Sequence, residues 1–384
     1  MKPRFRLILV VLLLSLAATA SWADLEPYSQ DFEGLVQADP SALANDGWLV
    51  FGNVFGPDWS YWYGYGPFPA PNGGPAFSAV AAGEGAAAQG AQQLSVYSDY
   101  NNALHGVGAY IEANVFQEQT VGAGDIGTTW RFEFDAKRGN IEGGTTARAF
   151  FKTINPAAGY ALTNFIWIDL TNVPDEWDTY ALGIFIDPSL EGQLLQFGFL
   201  STATNYQGSG VFYDNLRFVR SVALDIKPGS CPNPMNPSSR GVLPVAILGS
   251  ETFDASQIDV ESLELEGVPA IRAELDDVAA PFAGDLCGCT VSGPDGYVDL
   301  TLKFDNQEIF DAIGPTDGGD RVLTLSGTLL DGTPFQGQDC VVFVGGARRP
   351  SMEVEGDLNR GLPGSDRSGP QADIERVQVR TNHR

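Results

Sequence analysis

Short segments in which apolar and polar side chains alternate run through much of the chain. In the clearest of them, Trp130, Phe132 and Phe134 alternate with charged residues. A two-residue period is typical of a strand with one buried face. Similar segments lie at 147–154, 164–170, 179–186, 194–200 and 211–219. Because Gly, Pro and Asn separate these segments, the pattern predicts two packed antiparallel sheets, an all-β sandwich.

The second half of the chain repeats this strand pattern. Residues 298–304 alternate apolar and polar side chains, and residues 242–248 are almost wholly apolar. Segments 324–330 and 334–343 flank an Asp-Gly dipeptide, which readily adopts the positive φ angles of a tight hairpin. We therefore predict a second, smaller β-sandwich.

The two ends of the chain differ from these units. Lys2, Arg4 and Arg6 precede the apolar run 7–18, and small residues follow at 20–23. This is the pattern of a cleaved signal peptide, and the run is short for a membrane span. The last segment lacks periodicity, which predicts disorder. The predicted organisation is a signal peptide (1–23), two domains (24–220 and 221–346) and a tail (347–384).

Export predicts a secreted, periplasmic or cell-surface protein. The formal net charge is −26, and removal of three positive charges with the signal peptide makes it −29. A surface this acidic repels nucleic acids and anionic lipids, so neither nucleic acid nor membrane is expected as a partner.

The four cysteines all lie in the second half, at Cys231, Cys287, Cys289 and Cys340. In an oxidising compartment an even number predicts two disulfides, for which three pairings are formally possible. Cys287 and Cys289 flank one glycine, so we expect each to pair with Cys231 or Cys340. A zinc site is the alternative, but a single C-x-C pair is poor zinc-ligand spacing.

Catalytic motifs are not evident, and we predict no enzyme. Only His105 and His383 could serve a nucleophile-histidine mechanism, and His105 lies in a segment with a loop composition. A glycoside hydrolase that uses a carboxylate pair remains the alternative, because carboxylate separation cannot be derived from sequence.

An aromatic-rich segment is the strongest candidate for ligand binding. It contains Trp59, Tyr61, Trp62, Tyr63 and Tyr65, with Gly and Pro between them. We expect a loop whose rings stack on the C–H faces of sugars. The alternative is a lid that fills one end of the sandwich, with the three tyrosines buried and the two tryptophans facing solvent.

The ends of the first domain carry Asp31-Phe32-Glu33 with Gly47-Trp48, and the run 212–218 with the sequence FYDNLRF. In these segments the domain resembles the β-jelly-roll carbohydrate-binding modules and their galactose-binding-like relatives. The resemblance implies a jelly roll with a structural calcium, held by Glu33 and Asp214 with help from Asp31. The alternative is that Asp214 and Asn215 only form a turn or bulge.

The second domain carries the sequence LDIKPGS at 224–230, followed by Asn233, Asn236-Pro237 and the run 241–248. It is similar to a module of unknown activity found in secreted bacterial multidomain proteins. Related modules often have an Asp-rich loop before the strand at 298–304, whereas this chain retains only Asp295 and Asp299 there. We do not expect a cation site in this loop.

The sequence as a whole predicts a secreted, non-catalytic protein that binds a polysaccharide or a cell-surface glycan through a jelly roll with a structural calcium. An extracellular glycan-active hydrolase and a purely structural surface or matrix protein are the alternatives.

Overall fold

The structure is a computed structural model that describes residues 24–314, except 283 and 285, and residues 319–344. The predicted signal peptide and tail lie outside the described residues. The regular structure is almost entirely strand, as the sequence predicts. In the described ranges, no helix is long and apolar enough to cross a membrane.

The N-terminal part is a β-sandwich, and every segment predicted there from the two-residue period overlaps a strand. Its elements are β1 (Tyr28–Gln30), α1 (Ala42–Asn45), β2 (Leu49–Phe55), β3 (Tyr61–Pro69), β4 (Ser78–Ala82), β5 (Gln92–Val96), β6 (Tyr110–Thr120), β7 (Thr129–Arg138), β8 (Thr146–Asn155), β9 (Ala161–Asp169), β10 (Asp178–Phe185), β11 (Leu194–Ala203) and β12 (Val211–Ile226).

Two antiparallel sheets form this jelly roll. One has six strands in the order β3-β2-β6-β11-β8-β9. In the other, β12 pairs with β1, β5 and β7, while β4 extends it beyond β5 and β10 beyond β7. The alternation predicted in β7 is confirmed, since Trp130, Phe132 and Phe134 are buried.

Aromatic side chains from both sheets fill the space between them. The Phe199 and Tyr213 rings stack with their centroids 3.6 Å apart, and the Phe197 and Phe218 rings stack at 4.1 Å. Trp48 is also fully buried. Because each pair joins β11 to β12, these contacts hold the two sheets face to face.

The C-terminal part is a smaller β-sandwich, as predicted. Its elements are β13 (Pro234–Met235), β14 (Val242–Ile247), β15 (Ile258–Leu265), β16 (Val268–Pro269), β17 (Arg272–Asp276), β18 (Asp299–Asp305), α2 (Asn306–Ile313), β19 (Gly319–Leu329) and β20 (Pro334–Phe343). The β19–β20 hairpin forms around the Asp-Gly dipeptide.

Strand β12 belongs to both sandwiches. It runs without a break past residue 220, pairs in parallel with β20 at residues 220–223, and then pairs with β14 at residues 224–226. The largest buried apolar cluster of the first sandwich ends at Phe218, and that of the second begins at Val222. One continuous strand therefore joins two separate cores.

Two disulfides link Cys231 to Cys289 and Cys287 to Cys340. The prediction that Cys287 and Cys289 do not pair with each other is confirmed. No cysteine is free. Both bridges fix the short segment 287–289, one of them to the end of β20.

Loss of one bridge should destabilise the protein. The Cys287–Cys340 bridge joins residues 53 apart, so the double variant Cys287→Ser, Cys340→Ser should lose about 4 kcal/mol of unfolding free energy if the chain-entropy model holds. Urea unfolding measures this loss. The matched variant Cys231→Ser, Cys289→Ser opens a 58-residue separation and should lose a similar amount. A loss below about 1 kcal/mol would contradict the prediction.

Candidate functional site

The aromatic-rich segment is a strand, so the loop prediction is wrong. Strand β3 forms one edge of the six-stranded sheet and pairs with β2 from Leu49 to Phe55. The glycines permit this close pairing. A side chain at Gly64 would place its Cβ 2.7 Å from the Phe51 ring, and Gly66 has a φ of +118°. The segment is strand because glycine lets β3 lie directly against β2.

Four of the five predicted ligand residues lie in β3, and Trp59 lies just before it. Tyr61 lies opposite Phe55 and is 60% exposed, and Trp59 is 52% exposed and stacks on Tyr110 at 4.0 Å. Phe55 and Tyr110 are themselves cross-strand partners. These rings therefore lie on the side of the sheet that faces away from the core, which we call the outer face.

Tyr63 and Tyr65 lie on the opposite side of β3. Tyr63 pairs with the buried Val54, and Tyr65 packs against the main core and donates a hydrogen bond to Asp99 at 2.7 Å. Trp62 is the extra residue of a bulge, and its ring lies near Gly56. The lid hypothesis predicted that all three tyrosines are buried. It is wrong for Tyr61 and Tyr63, which are exposed, whereas Tyr65 is partly buried.

Polar side chains lie at the centre of the outer face. The Asn53 amide donates to Glu112 at 2.9 Å, and the Asn114 amide donates to the same carboxylate oxygen at 3.1 Å. Lys152 donates to Asn114 Oδ1 at 2.6 Å. Burial lowers the pKa of Lys152, while the nearby Glu112 charge opposes that shift. The result is a connected set of donors and acceptors held in fixed positions.

An apolar patch beside this network supports it. Phe116, Phe150 and Leu200 are buried on the outer face, where they form a small cluster separate from the main core. The Lys152 ammonium lies 4.6 Å from the centre of the Phe150 ring and 4.8 Å from that of Phe165. These cation–π contacts fix the position of the ammonium group.

A further aromatic residue lies at the opposite edge of the sheet. Trp167 in β9 is 39% exposed, and the Arg148 guanidinium stacks over it at 4.1 Å. Because β3 and β9 are the two edge strands, exposed rings flank the outer face on both sides. Six strands at a spacing of about 4.8 Å place these edges about 24 Å apart.

Sequence reasoning missed most of the outer face. Asn53, Glu112, Asn114, Arg148, Lys152 and Trp167 were not predicted as site residues. The two-residue period could identify which positions point away from the core. It could not show that strands distant in sequence, such as β2 and β9, belong to one sheet.

The predicted calcium residues lie near one another around β12. Asp214 is fully buried and its Oδ2 has no hydrogen-bond partner among the described residues. Burial raises the pKa of Asp214 to about 7, with further contributions from the Asp135, Glu33 and Asp31 charges. A buried carboxylate whose pKa is raised in this way has no nearby positive charge to neutralise it.

Other oxygen atoms nearby are only partly consistent with a cation. Gln89 Oε1 is also buried without a partner, and Gln89 was not predicted. Glu33 Oε1, however, accepts hydrogen bonds from the backbone of Ala91 and Gln92 at 2.6 and 2.7 Å. Asp31 accepts from the Glu33 backbone. In the part of the chain that the structure describes, no group of three or more Asp, Glu, His or Cys residues is arranged to hold a metal.

The bulge considered as an alternative is present. The β12–β7 register shifts between Asp214 and Arg217, and Asn215 has a φ of +50°. The Asn215 amide donates to Asp135 at 2.8 Å. The bulge turns Asp214 and Asn215 towards the same acidic group, so it is compatible with a cation site.

His105 is not in an open loop. It lies in a 3-10 turn at Ala103–Val107 and is fully buried. Its ring packs against Tyr100 and Tyr206, with centroids 5.4 and 4.9 Å away, and burial lowers its pKa. Stacking and contacts of Nε2 with Ser98 Oγ at 3.3 Å and the Asp99 carbonyl at 3.2 Å, not solvation, account for its position.

The acidic loop of the second sandwich is structural. Asp299 is fully buried and accepts backbone hydrogen bonds from Gly249, Val278 and Ala279. Asp295 accepts one from the Tyr297 backbone. These carboxylates are used to fix the surrounding loops.

No protein-family model and no curated protein matches the chain. Among solved structures it is similar to the enzymatically active domain of tailspike protein 4 of bacteriophage CBA120, with 14% identity and a TM-score of 0.28. That match covers 48% of this chain and 21% of the tailspike chain. It is also similar to CBM22-1-GH10 modules of a Clostridium thermocellum endo-1,4-beta-D-xylanase, with 14% identity, a TM-score of 0.29, and coverage of 52% and 29%.

The CBM22-1 xylan-binding domain from Paenibacillus barcinonensis is a third such structure. It is 13% identical, with a TM-score of 0.27, and the match covers 52% of this chain and 96% of that one. Carbohydrate-binding modules recur among these neighbours, and a cyclase from Fischerella is also present.

Without metal, Asp214 should make stability depend on pH. Its pKa is about 7 when folded, compared with about 3.9 when unfolded. Between these values the folded state keeps a proton that the unfolded state releases. The free energy of unfolding should therefore fall, as pH rises through this window, by up to about 1.4 kcal/mol per unit from this group.

Asp214→Asn should remove that contribution. Urea unfolding with a chelator, at several pH values between about 4 and 7, measures the difference between variant and wild type. Asp311→Asn, on the exposed side of α2, is the matched control and should follow wild type. An Asp214→Asn curve parallel to wild type would show that Asp214 does not titrate in this range.

Proposed function

We propose that the outer face binds a glycan chain and that the protein is an exported, non-catalytic glycan-binding protein. The observation that carries this proposal is the arrangement of the six-stranded sheet. Trp59 and Tyr61 lie at one edge of its outer face and Trp167 at the other, with hydrogen-bonding side chains between them.

The chemistry of this face suits a sugar chain. Aromatic rings offer flat apolar surfaces for the C–H faces of sugars, while sugar hydroxyl groups both donate and accept hydrogen bonds. Asn53, Glu112 and Lys152 are partly exposed and supply both kinds of partner, while the buried Asn114 holds them in place. Their mutual hydrogen bonds fix them before a ligand arrives, which reduces the entropy lost on binding.

The side chains of this face favour binding over hydrolysis. Glu112 is a central carboxylate of the outer face, and two amide groups hold the same oxygen. His105 is buried away from solvent. A carboxylate-pair hydrolase remains the competing function, and release of reducing ends distinguishes it from binding.

We also propose a structural calcium near the Asp214 bulge. The buried, unpartnered oxygens of Asp214 and Gln89 are hard ligands of the type calcium takes. Glu33 and Asp31 would add negative charge, and waters or carbonyl groups would complete the coordination. A bound ion would supply the positive charge that these carboxylates lack.

Glycan binding should depend on which side of β3 an aromatic ring occupies. Tyr61→Ala and Trp167→Ala should each weaken binding to a polysaccharide that wild type retains, by about 1 kcal/mol or more, because each removes a stacking ring. Affinity electrophoresis or a glycan array with the full chain measures retention. Unchanged melting temperatures are required, since unfolding would also abolish binding.

Tyr63→Ala is the matched control. Tyr63 is exposed on the same strand but lies on the opposite side. The Tyr63→Ala variant should therefore bind the polysaccharide like wild type. Equal losses for Tyr61→Ala and Tyr63→Ala would place the ligand elsewhere. Release of reducing ends would establish the hydrolase, and absence of retention on every glycan would favour a structural protein.

Removal of calcium should lower the melting temperature of the full chain. A ligand present at about one hundred times its Kd stabilises the folded state by about 2.7 kcal/mol, which corresponds to several degrees. Asp214→Asn should abolish the difference between calcium and chelator, whereas Asp311→Asn should preserve it. An identical wild-type transition in both conditions would rule out the structural calcium.

A further inference from the structure

A cavity of about 730 Å³ lies where the two sandwiches meet. Its walls come from β7, β10, β12 and β20, and from the segment 286–290, which we call the strap. Both disulfides hold the strap in place, through Cys287 and Cys289. The cavity therefore has walls from both sandwiches and one cross-linked side.

One wall of this cavity carries Asp225, a carboxylate of the LDIKPGS motif for which the proposed glycan site has no use. Asp225 is 9% exposed, and its Oδ2 has no hydrogen-bond partner among the described residues. Arg131 also lines the cavity, but its guanidinium is paired with Glu133 at 3.1 Å. Among the described residues, no salt bridge reaches the Asp225 carboxylate.

The same wall has further acceptors without donors. Gln336 is 4% exposed, and its Oε1 is unpartnered in the described part of the chain. The Gln338 amide nitrogen donates a hydrogen bond to Thr324 at 2.9 Å. Its Oε1 has no partner among the described residues. Three oxygen acceptors on adjacent strands therefore lack donors, which is costly for buried groups.

Nearby carboxylates make this wall strongly negative. Burial, together with the charges of Asp339 and Asp299, raises the pKa of Asp225 to about 7. Asp339 itself is satisfied, because it accepts from the Ile226 and Cys340 backbones and from the Asn233 amide. Asp225 is thus the group that a cation would stabilise most.

A metal ion is the weaker candidate for this wall. Calcium takes six to eight oxygen ligands, often from several carboxylates, and Asp339, the other carboxylate that lines the cavity, already accepts three hydrogen bonds. A primary ammonium group instead carries one charge and three donors. The exposed rings of Phe185 and Phe282, which also line the cavity, would contact its apolar body.

We propose that the junction cavity binds the primary ammonium group of a small organic cation, with Asp225 as its anionic anchor and Gln336 and Gln338 as further acceptors. This site is independent of the outer face. It assigns a binding role to a residue of the LDIKPGS motif.

The test uses the full chain and n-butylammonium, with n-butanol as the neutral ligand of similar shape. Calorimetry at about pH 8 should show saturable binding of the amine and none of the alcohol, because alkylamines stay protonated there. Asp225→Asn should weaken amine binding by about tenfold or more, as expected for a lost charged hydrogen bond. Asp311→Asn should not change it.

Two further measurements keep the outcome clear. Tyr61→Ala should leave amine binding intact, so this proposal can fail or hold independently of glycan binding. In wild type, affinity should fall as the pH is lowered through about 7, where Asp225 takes up a proton. Asp339 and Arg131, which is paired with Glu133, also line the cavity, and the Asp299 charge acts on Asp225. Asp225→Asn should abolish most of the pH dependence, because Asp225 is the proposed anchor.

Equal binding of the amine and the alcohol would overturn the proposal, as would no saturable binding at all. The proposal would also be overturned if Asp225→Asn left amine binding unchanged. If Asp225→Asn does not fold, the wild-type protein decides the question. An amine affinity that stays constant between about pH 6 and pH 8 would then overturn the proposal.

Discussion

The continuity of β12 is the constraint on which the rest of the structure depends. This single strand supplies hydrogen bonds to β1, β5 and β7 of the first sandwich and to β14 and β20 of the second. Its apolar residues change core between Phe218 and Val222. A flexible linker would let the sandwiches move separately, whereas a shared strand fixes their relative position and with it the junction cavity.

The outer face follows from a different constraint, which is the exposure of edge strands. An edge strand has one unpaired side and readily pairs with other chains. Here β3 has two bulges and carries bulky rings, and β9 carries Trp167 stacked with Arg148. These features obstruct pairing with another chain. They also leave rings exposed on both sides of a polar surface, so the residues that protect the edges are those available to a ligand.

Much of the fold could be predicted from sequence because the two-residue period is local. Segments such as 194–200 and 211–219 become strands, and the C-x-C spacing disfavours a bridge between its own cysteines. The aromatic-rich segment was mistaken for a loop because Gly and Pro usually mark turns. In β3 the glycines instead permit close approach to β2, a tertiary requirement that the sequence alone does not reveal.

The candidate sites were harder to predict for the same reason. Asp214 was named through a resemblance, while Gln89 comes from the turn between β4 and β5 and Asp135 from β7, and both are recognised only when β12 brings them together. Trp167 and Tyr61 are about a hundred positions apart in sequence, at opposite edges of one sheet. Strand order determines that both flank the same surface.

Asp214 and Asp225 of β12 each have a buried oxygen, Oδ2, without a hydrogen-bond partner among the described residues, a cost that folding alone does not explain. Asp214 and Asp225 are both at least nine-tenths buried, and burial brings the pKa of each to about 7. Neutral or apolar residues of similar volume at such positions would often make the protein more stable. The general acidity of the chain does not account for them, because solubility requires charge at the surface and not inside a strand. A positive ligand at each position would remove the cost. The stability of both sandwiches would then depend on the concentration of those cations.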